Sequence, residues 1–124
     1  MNYLADMISR IRVAIIKRAT FVIIKNTKEC LKILTKLHID GYILNLEIEK
    51  DFIKIYFNFM DNSNSIRDIK IISTPGLKRH FSVKFLRSRH NYYYEVYLLT
   101  HLGLLNKAEA INLNTGGIAL MSIR

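Results

Sequence analysis

The spacing of apolar residues changes along the first half of the chain from a helical period to a strand period. Between residues 4 and 15 the apolar side chains recur at i, i+3, i+4, i+7 and i+11, which predicts an amphipathic helix over about 4–18. These side chains are Leu4, Met7, Ile8, Ile11 and Ile15. Over 43–59 apolar and polar residues alternate, which predicts a β-hairpin with one solvated side. Because each element has one face to bury, such a chain must fold into layers of helices and sheet.

The residues between these two elements predict a strand followed by a second helix. Residues 21–24 form a short, β-branched apolar run that predicts a buried strand. Asn26 is the predicted N-cap of the helix, with Glu29 as its capping-box partner, and Gly41 lies where a left-handed C-terminal cap is expected. We expect this helix to bury Cys30, Leu34, Leu37 and His38 or its neighbours.

A short polar stretch, Asp-Asn-Ser-Asn-Ser at 61–65, predicts a linker between two domains. Beyond it we expect strands over 68–74, 92–99 and 118–123, a turn at Pro75-Gly76, and a short helix over 107–111 after the N-cap Asn106. The sequence therefore predicts an α+β fold of two small α/β domains. The N-terminal domain, 1–62, has the order helix–strand–helix–hairpin, and the C-terminal domain, 63–124, combines mixed strands with short helices.

Basic residues are concentrated in two segments of the chain, whose formal net charge is +9. Residues 10–36 hold eight Lys or Arg and one acid, and residues 69–94 hold six Lys or Arg and no acid. Either cluster alone is compatible with an ordinary solvated face. A cluster in each predicted domain favours binding to a polyanion, most often a nucleic acid, through its phosphates. With half of its residues apolar, the chain is predicted to be folded rather than a disordered basic tail.

Several functional classes lack their sequence signals. No apolar run approaches the roughly 18 residues of a membrane span, and no signal or transit peptide is recognised, so we expect the fold to begin near Met1. The single cysteine, Cys30, excludes a disulfide framework and a cysteine-based zinc site. No Gly-rich phosphate loop or nucleophile elbow occurs, and the four histidines form no metal-binding pair. We therefore expect no catalytic residues, no metal site and no cofactor.

Aromatic residues accompany the second basic cluster. Phe81 and Phe85 are expected to pack in a core, while stacking on unpaired bases is the alternative. In the run Tyr92-Tyr93-Tyr94, successive rings of a strand face opposite sides, so at least one ring is expected to be exposed.

Three segments carry a specific resemblance when they are taken together and in order. They are Ala-Asp-Met-Ile-Ser-Arg-Ile-Arg at 5–12, Ser-Thr-Pro-Gly-Leu-Lys at 73–78, and Thr-His-Leu-Gly-Leu-Leu at 100–105 followed by Ala110 and the glycine pair 116–117. Their order and spacing resemble the bacterial and organellar type of small-subunit ribosomal protein eight. The resemblance extends over nearly the whole chain.

The resemblance implies a structural constituent of the small ribosomal subunit and not an enzyme. Such a protein binds the central domain of small-subunit ribosomal RNA directly, through its C-terminal domain above all, and supports assembly and translation. Its implied partners are this RNA and neighbouring small-subunit ribosomal proteins, with no membrane and no small-molecule substrate. Two alternatives stay open: a non-ribosomal RNA-binding regulator, such as an autogenous translational repressor, and a nuclease using His80, His90 or His101.

The family's main RNA contact, a Ser-Thr-Ser-x-Gly loop, matches residues 99–103 in altered form. Thr100 and Gly103 persist, whereas Leu99 and His101 replace the two serines. His101 could replace a serine hydrogen bond or stack on a base. Ile118 replaces a common Glu after the glycine pair, so a structural hydrogen bond expected there is missing. Together with the basic clusters, the resemblance predicts this RNA-binding set: Arg10, Arg12, Lys25, Lys28, Ser73, Lys78, Arg79, His80, Thr100, His101, Gly103 and Gly116.

Residue usage bears on the compartment. The chain has 19 Ile and 10 Asn against 6 Ala, 5 Gly and 1 Pro. Ile and Asn have A/T-rich codons, whereas Ala, Gly and Pro have G/C-rich codons, so this usage favours a compact A/T-rich genome such as that of an organelle. With the resemblance, it predicts a mitochondrial protein, in the small subunit of the matrix ribosome. A plastid and a bacterial cytoplasm are the alternatives.

Overall fold

The computed structural model describes residues 2–57, 66–88 and 93–124 of the 124-residue chain. The chain divides into two units, Met1–Asp68 and Ile69–Arg124. Each unit combines helices with antiparallel strands, so the predicted α+β class is confirmed. The predicted domain boundary between residues 62 and 63 lies outside the described residues and stays a prediction.

The N-terminal unit has the predicted order of helix, strand, helix and hairpin. Its elements are α1 (Asn2–Ile16), β1 (Phe21–Lys25), α2 (Lys28–Ile39), β2 (Asn45–Ile48) and β3 (Phe52–Tyr56). The three strands form one antiparallel sheet in the order β1-β3-β2. The hairpin thus places β3 at the centre of the sheet, with β1 on its far side.

This sheet buries one face only. Helix α1 contacts β1 and α2, and α2 contacts β2. The buried core contains Leu4, Met7, Ile8, Ile11, Ile24, Ile33, Leu34, Leu37, Ile53 and Ile55. Phe21 and Ile23 point to the opposite face of β1 and are 44% and 45% exposed, so the prediction of a buried run at 21–24 is wrong for these two side chains. Successive residues of a strand alternate between faces, and the helices cover the face of Ile24.

The first strand of the hairpin is also more exposed than its alternation predicts. Ile48 pairs with Ile53 and therefore lies on the same side of the sheet as that buried residue. It is nevertheless 53% exposed, and Leu44 just before the strand is 57% exposed. Because β2 is an edge strand, it has a neighbouring strand on one side only, and less of its apolar face is covered.

Helix α2 begins one residue later than predicted. The hydroxyl of Thr27 accepts a hydrogen bond from the N–H of Cys30 at 3.2 Å, so Thr27 is the N-cap. The predicted cap, Asn26, instead donates its side-chain amide to the carbonyl of Glu49 at 2.6 Å. This bond ties the start of α2 to the hairpin.

The end of α2 follows the prediction at Gly41. This residue has a φ of 89°, in the left-handed region that favours glycine, and the N–H of Tyr42 donates to the carbonyl of Leu37 at 2.9 Å. Ile33 is buried on the core side of the helix, and His38 is exposed. The expectation that His38 itself is buried is therefore wrong. The stated alternative, that a neighbouring residue is buried, is met by Ile33.

The C-terminal unit is built around its last strand. Its elements are β4 (Ile69–Ile71), β5 (His80–Phe81), α3 (Val83–Arg87), β6 (Glu95–Thr100), β7 (Gly103–Asn106), α4 (Lys107–Asn112) and β8 (Gly117–Ile123). Strand β8 pairs antiparallel with β4, β5 and β6, and β7 pairs with β6. The predicted helix after Asn106 is confirmed, and Asn106 and Glu109 form a complete capping box.

One hydrophobic core cluster of the C-terminal unit includes Phe81, and further aromatic rings pack against it. Its buried members are Ile72, Phe81, Leu86, Val96, Leu98, Leu105, Ala110 and Ala119. Phe85 meets Phe81 edge to face at 4.5 Å between ring centroids, and the Tyr93 ring lies 5.4 Å from Phe81. The core role predicted for Phe81 is confirmed, whereas Phe85 is partly buried and packs against the core. Tyr94 is 79% exposed, as expected for at least one of the three tyrosines, and Tyr92 lies outside the described residues.

Candidate RNA interface

The two predicted arginines of helix α1 are exposed and carry weak ion pairs. Arg10 Nε lies 3.1 Å from a carboxylate oxygen of Asp6, one turn earlier. Arg12 Nε lies 3.3 Å from Asp68, within the same unit. Exposed pairs of this kind contribute about 0–1 kcal/mol. Either guanidinium can therefore exchange its carboxylate for an RNA phosphate at little cost in stability.

Lys25 and Lys28 flank the connection between β1 and α2. Lys25 is the last residue of β1, Lys28 is the first residue of α2, and both are exposed. The N–H of Asn26, between them, donates to the carbonyl of Asp51 at 3.2 Å. With the side-chain bond of Asn26 to the hairpin, this contact fixes the backbone that carries the two lysines.

Ser73 does not have the place predicted for an RNA-binding side chain. It is fully buried, its hydroxyl donates to the carbonyl of Ala119, and its oxygen accepts from the N–H of Arg79 at 3.0 Å. A buried hydroxyl with both partners inside the protein has no face to offer to RNA. This prediction is therefore corrected: Ser73 holds the loop that follows it.

That loop presents the predicted basic residues of the C-terminal unit. Thr74 and Leu77 exchange two backbone hydrogen bonds, of 2.9 and 3.1 Å, and so close a tight turn. The three residues after the turn, Lys78, Arg79 and His80, are all exposed. Since Arg79 is anchored through its backbone, its side chain extends from a fixed point.

The hairpin between β6 and β7 contains the altered loop motif. Thr100 pairs with Gly103, so the turn between them consists of His101 and Leu102, both exposed. The hydroxyl of Thr100 donates to the carbonyl of Gly103 at 2.9 Å and accepts from the N–H of Leu102 at 3.1 Å. Gly103 has a φ of 110°, which a side chain rarely tolerates. Thr100 and Gly103 therefore set the shape of the tip, and His101 and Leu102 are displayed on it.

The glycine pair after α4 allows close packing of backbone. A Cβ on Gly117 would collide with the carbonyl oxygen of Leu99 and with the Thr100 methyl group, and one on Gly116 would lie 2.5 Å from the carbonyl oxygen of Phe81. Gly117 thus lets β8 approach the base of the tip. For Gly116, packing against β5 accounts for the glycine, and its predicted RNA contact stays a prediction.

Thr115 was not among the residues predicted from sequence. It is 6% exposed, and its Oγ1 lies 3.3 Å from Nδ1 of His101. The two residues are 14 positions apart, and nothing in the spacing of a lone threonine and a lone histidine indicates that they meet. The pairing of β6 with β8 brings Thr115, two residues before β8, beside the hairpin tip.

The described residues contain no group of three His, Cys, Asp or Glu side chains that could hold a metal ion. None of the described helices is long and apolar enough to cross a membrane. Cys30 is buried, and burial is the main cause that raises the pKa of its thiol. His90, a residue of the open nuclease alternative, lies outside the described residues.

Comparison with known proteins identifies the family over almost the full length of the chain. Residues 2–123 match the family model described as ribosomal protein S8. The chain is 34% identical to small ribosomal subunit protein uS8m of Acanthamoeba castellanii, an alignment that covers 99% of each protein. It is 34% identical to uS8 of Mycoplasma mobile, over 92% of this chain and 89% of that protein, and 31% identical to uS8 of Bartonella bacilliformis, over 97% and 95%. The chain therefore belongs to the ribosomal protein S8 family, whose members are proteins of the small ribosomal subunit.

Proposed function

We propose that this protein binds the central domain of small-subunit ribosomal RNA directly and holds it during subunit assembly and translation. The observation that carries the proposal is the exposure of six predicted cationic side chains, four in the N-terminal unit and two in the C-terminal unit. They are Arg10, Arg12, Lys25, Lys28, Lys78 and Arg79. A phosphate backbone is the ligand that such side chains fit, since each neutralised phosphate releases counterions.

The number of phosphate contacts can be measured from the salt dependence of binding. Six contacts predict that the logarithm of the association constant falls with the logarithm of salt concentration with a slope of about −4 to −5. The assay is filter binding to a transcribed central-domain fragment from the same genome, with an unrelated structured RNA of equal length as control. Equal affinity for the two RNAs would contradict specific binding to the central domain.

The hairpin tip supports the same proposal for the C-terminal unit. Because the Thr100 hydroxyl makes two hydrogen bonds to the backbone of the tip, its removal should distort the surface that carries His101. We expect Thr100→Ala to weaken RNA binding by about 1–3 kcal/mol at fixed salt. Thr35→Ala, at an exposed position of α2, is the matched control. An unchanged dissociation constant for Thr100→Ala would remove the tip from the interface.

We propose a mitochondrial ribosome as the site of this function, with neighbouring small-subunit proteins as further partners. The name uS8m of the Acanthamoeba castellanii relative supports this, as does the Ile- and Asn-rich composition of the chain. When a mitochondrial extract is separated on a density gradient, antibody detection should find the protein in the fractions that contain small ribosomal subunits. A protein found mainly in the ribosome-free fractions would favour the regulator instead.

The proposed role includes no catalytic step. Labelled RNA incubated with the purified protein, with and without divalent metal, should stay intact. Cleavage that disappears in His80→Ala or His101→Ala would contradict this and favour the nuclease alternative.

A further inference from the structure

The hydroxyl of Thr115 is a buried polar group with two neighbours that differ in chemistry. Its Oγ1 lies 3.3 Å from Nδ1 of His101 and 3.3 Å from the carbonyl oxygen of Gly116. Thr115 is 6% exposed, whereas His101 is exposed on the hairpin tip. The contact therefore reaches from the interior of the C-terminal unit to the side chain that occupies a serine position of the family's contact loop.

The proton of the hydroxyl can serve only one of these neighbours. A carbonyl oxygen only accepts, so the bond to Gly116 uses the Thr115 proton and leaves the Thr115 oxygen as an acceptor. That oxygen then requires a proton on Nδ1 of His101. The opposite tautomer, with its proton on Nε2, would take the Thr115 proton for Nδ1 and give up the carbonyl. Of the two neutral forms of the ring, only the Nδ1–H tautomer uses both contacts, and it leaves Nε2 as a bare acceptor.

Nε2 is the ring atom that remains for an external partner. Within the described part of the chain it has no hydrogen-bond partner. A neutral imidazole nitrogen without a proton accepts a hydrogen bond and cannot donate one, so it does not bind a phosphate oxygen. The minor groove of RNA displays two kinds of donor to such an atom, the ribose 2′-hydroxyl and the guanine amino group.

We propose that Thr115 is a positioning residue that holds His101 as the Nδ1–H tautomer, so that Nε2 accepts a hydrogen bond from a donor group in an RNA minor groove. This rests on the proposed function, because the RNA is the ligand. His101 then selects a donor on the RNA, whereas a serine hydroxyl in its place could either donate or accept. Thr115 acts only through His101.

The first test measures the tautomer without RNA. At pH 8 the ¹⁵N shifts of the His101 ring should identify Nδ1 as protonated and Nε2 as unprotonated in the wild type and in Thr115→Ser, which keeps the hydroxyl. Thr115→Val, which removes it, should move the ring towards the Nε2–H form. Thr35→Val is the control for the chemical change at an exposed site. A wild-type ring in the Nε2–H form, or identical shifts in the wild type and Thr115→Val, would overturn the proposal.

The second test measures recognition with the central-domain fragment as the probe. Single 2′-deoxy and guanosine-to-inosine substitutions are introduced one at a time along the RNA helix that the protein protects. The first kind removes a ribose hydroxyl donor and the second removes a guanine amino donor, so the two donors are told apart. At the contacted position, the wild type should lose about 3- to 10-fold in affinity, while Thr115→Val, already weakened by a similar factor, should lose no more. Equal losses for both proteins at every position would overturn the proposal.

The two experiments keep this inference apart from the proposed function. A wild-type protein that binds the fragment well but shows no donor-dependent difference from Thr115→Val overturns the inference and leaves RNA binding in place. A wild-type protein that does not bind the fragment overturns the proposed function and the recognition of a donor with it. The tautomer itself is decided by the spectra.

Discussion

The substitution Ser73→Ala tests whether Ser73 stabilises the fold or contacts RNA. The sequence predicts an RNA contact at this position, whereas the structure shows a buried side chain. Strand β8 pairs with β5 at Gly117 and Ile118 and with β4 from Met121 to Ile123. Ala119 lies in the gap between these two ladders. Its N–H donates to the carbonyl of Arg79 at 2.8 Å, and its carbonyl accepts from the Ser73 hydroxyl. Ser73 therefore completes the pairing of β8 with a side chain in place of a backbone group.

The cost of Ser73→Ala follows from the hydrogen bonds that it removes, chiefly those with the carbonyl of Ala119 and the N–H of Arg79. The carbonyl of Ala119 belongs to a fully buried residue, so water cannot replace the lost donor, which costs about 1–3 kcal/mol. The N–H of Arg79 belongs to an exposed residue, where water offsets most of the loss. We expect a loss of about 2 kcal/mol in the free energy of unfolding. This corresponds to a shift of about 1 M in the urea midpoint.

The assay pairs urea unfolding with RNA binding of the folded variant. Ser9→Ala, at an exposed position of α1, is the matched control and should unfold within about 0.5 kcal/mol of the wild type. We expect the dissociation constant of Ser73→Ala for the central-domain fragment to stay within about twofold of the wild type, since the removed atom is buried. A variant with unchanged stability and weakened RNA binding would refute this reasoning and restore Ser73 to the interface.

Three further predictions test packing, charge and burial. Gly117→Ala should lose about 1–3 kcal/mol of stability, because its Cβ meets β6 backbone, whereas Gly76→Ala, with nothing within 4 Å, should unfold like the wild type in urea. Arg10→Ala should leave stability nearly unchanged, since the ion pair of Arg10 with Asp6 is exposed. It should reduce the salt slope of RNA binding by about 0.7–0.9. An unchanged slope would show that Arg10 contacts no phosphate. Cys30, whose thiol pKa is raised mainly by burial, should react with iodoacetamide at pH 8 much more slowly in the folded than in the urea-unfolded protein; equal rates would contradict its burial.

Long periodic elements and their caps were predictable from sequence because their signals are local. The 3.6-residue spacing from Leu4 onwards predicted α1, and the capping pair of Asn106 and Glu109 lies within one turn of α4. The ends of these helices lie one or two residues from the predicted ones. For α2, Thr27 replaces Asn26 because both residues are good caps and tertiary contacts decide between them.

Short elements and exposure were not predictable in the same way. Strand β5 has two residues and helix α3 has five, which is less than the length over which periodicity can be recognised. An apolar run such as 21–24 does not reveal whether a sheet is covered on one face or on both. The contacts of Ser73 and Thr115 span 46 and 14 residues, and only strand pairing brings these partners together.

The order of strands along the chain has a consequence for synthesis of the C-terminal unit. Strands β4, β5 and β6 all pair with β8, which follows every one of them in the sequence. While residues before 117 emerge from a translating ribosome, β6 and β7 are the only described strands of this unit that have a partner available. The N-terminal sheet, in contrast, has all three strands once residue 56 has emerged. The nascent chain therefore passes through a stage in which one unit can fold while the other exposes β4 and β5 unpaired and β6 paired on one edge only. At this stage chaperone binding or misfolding has the longest opportunity.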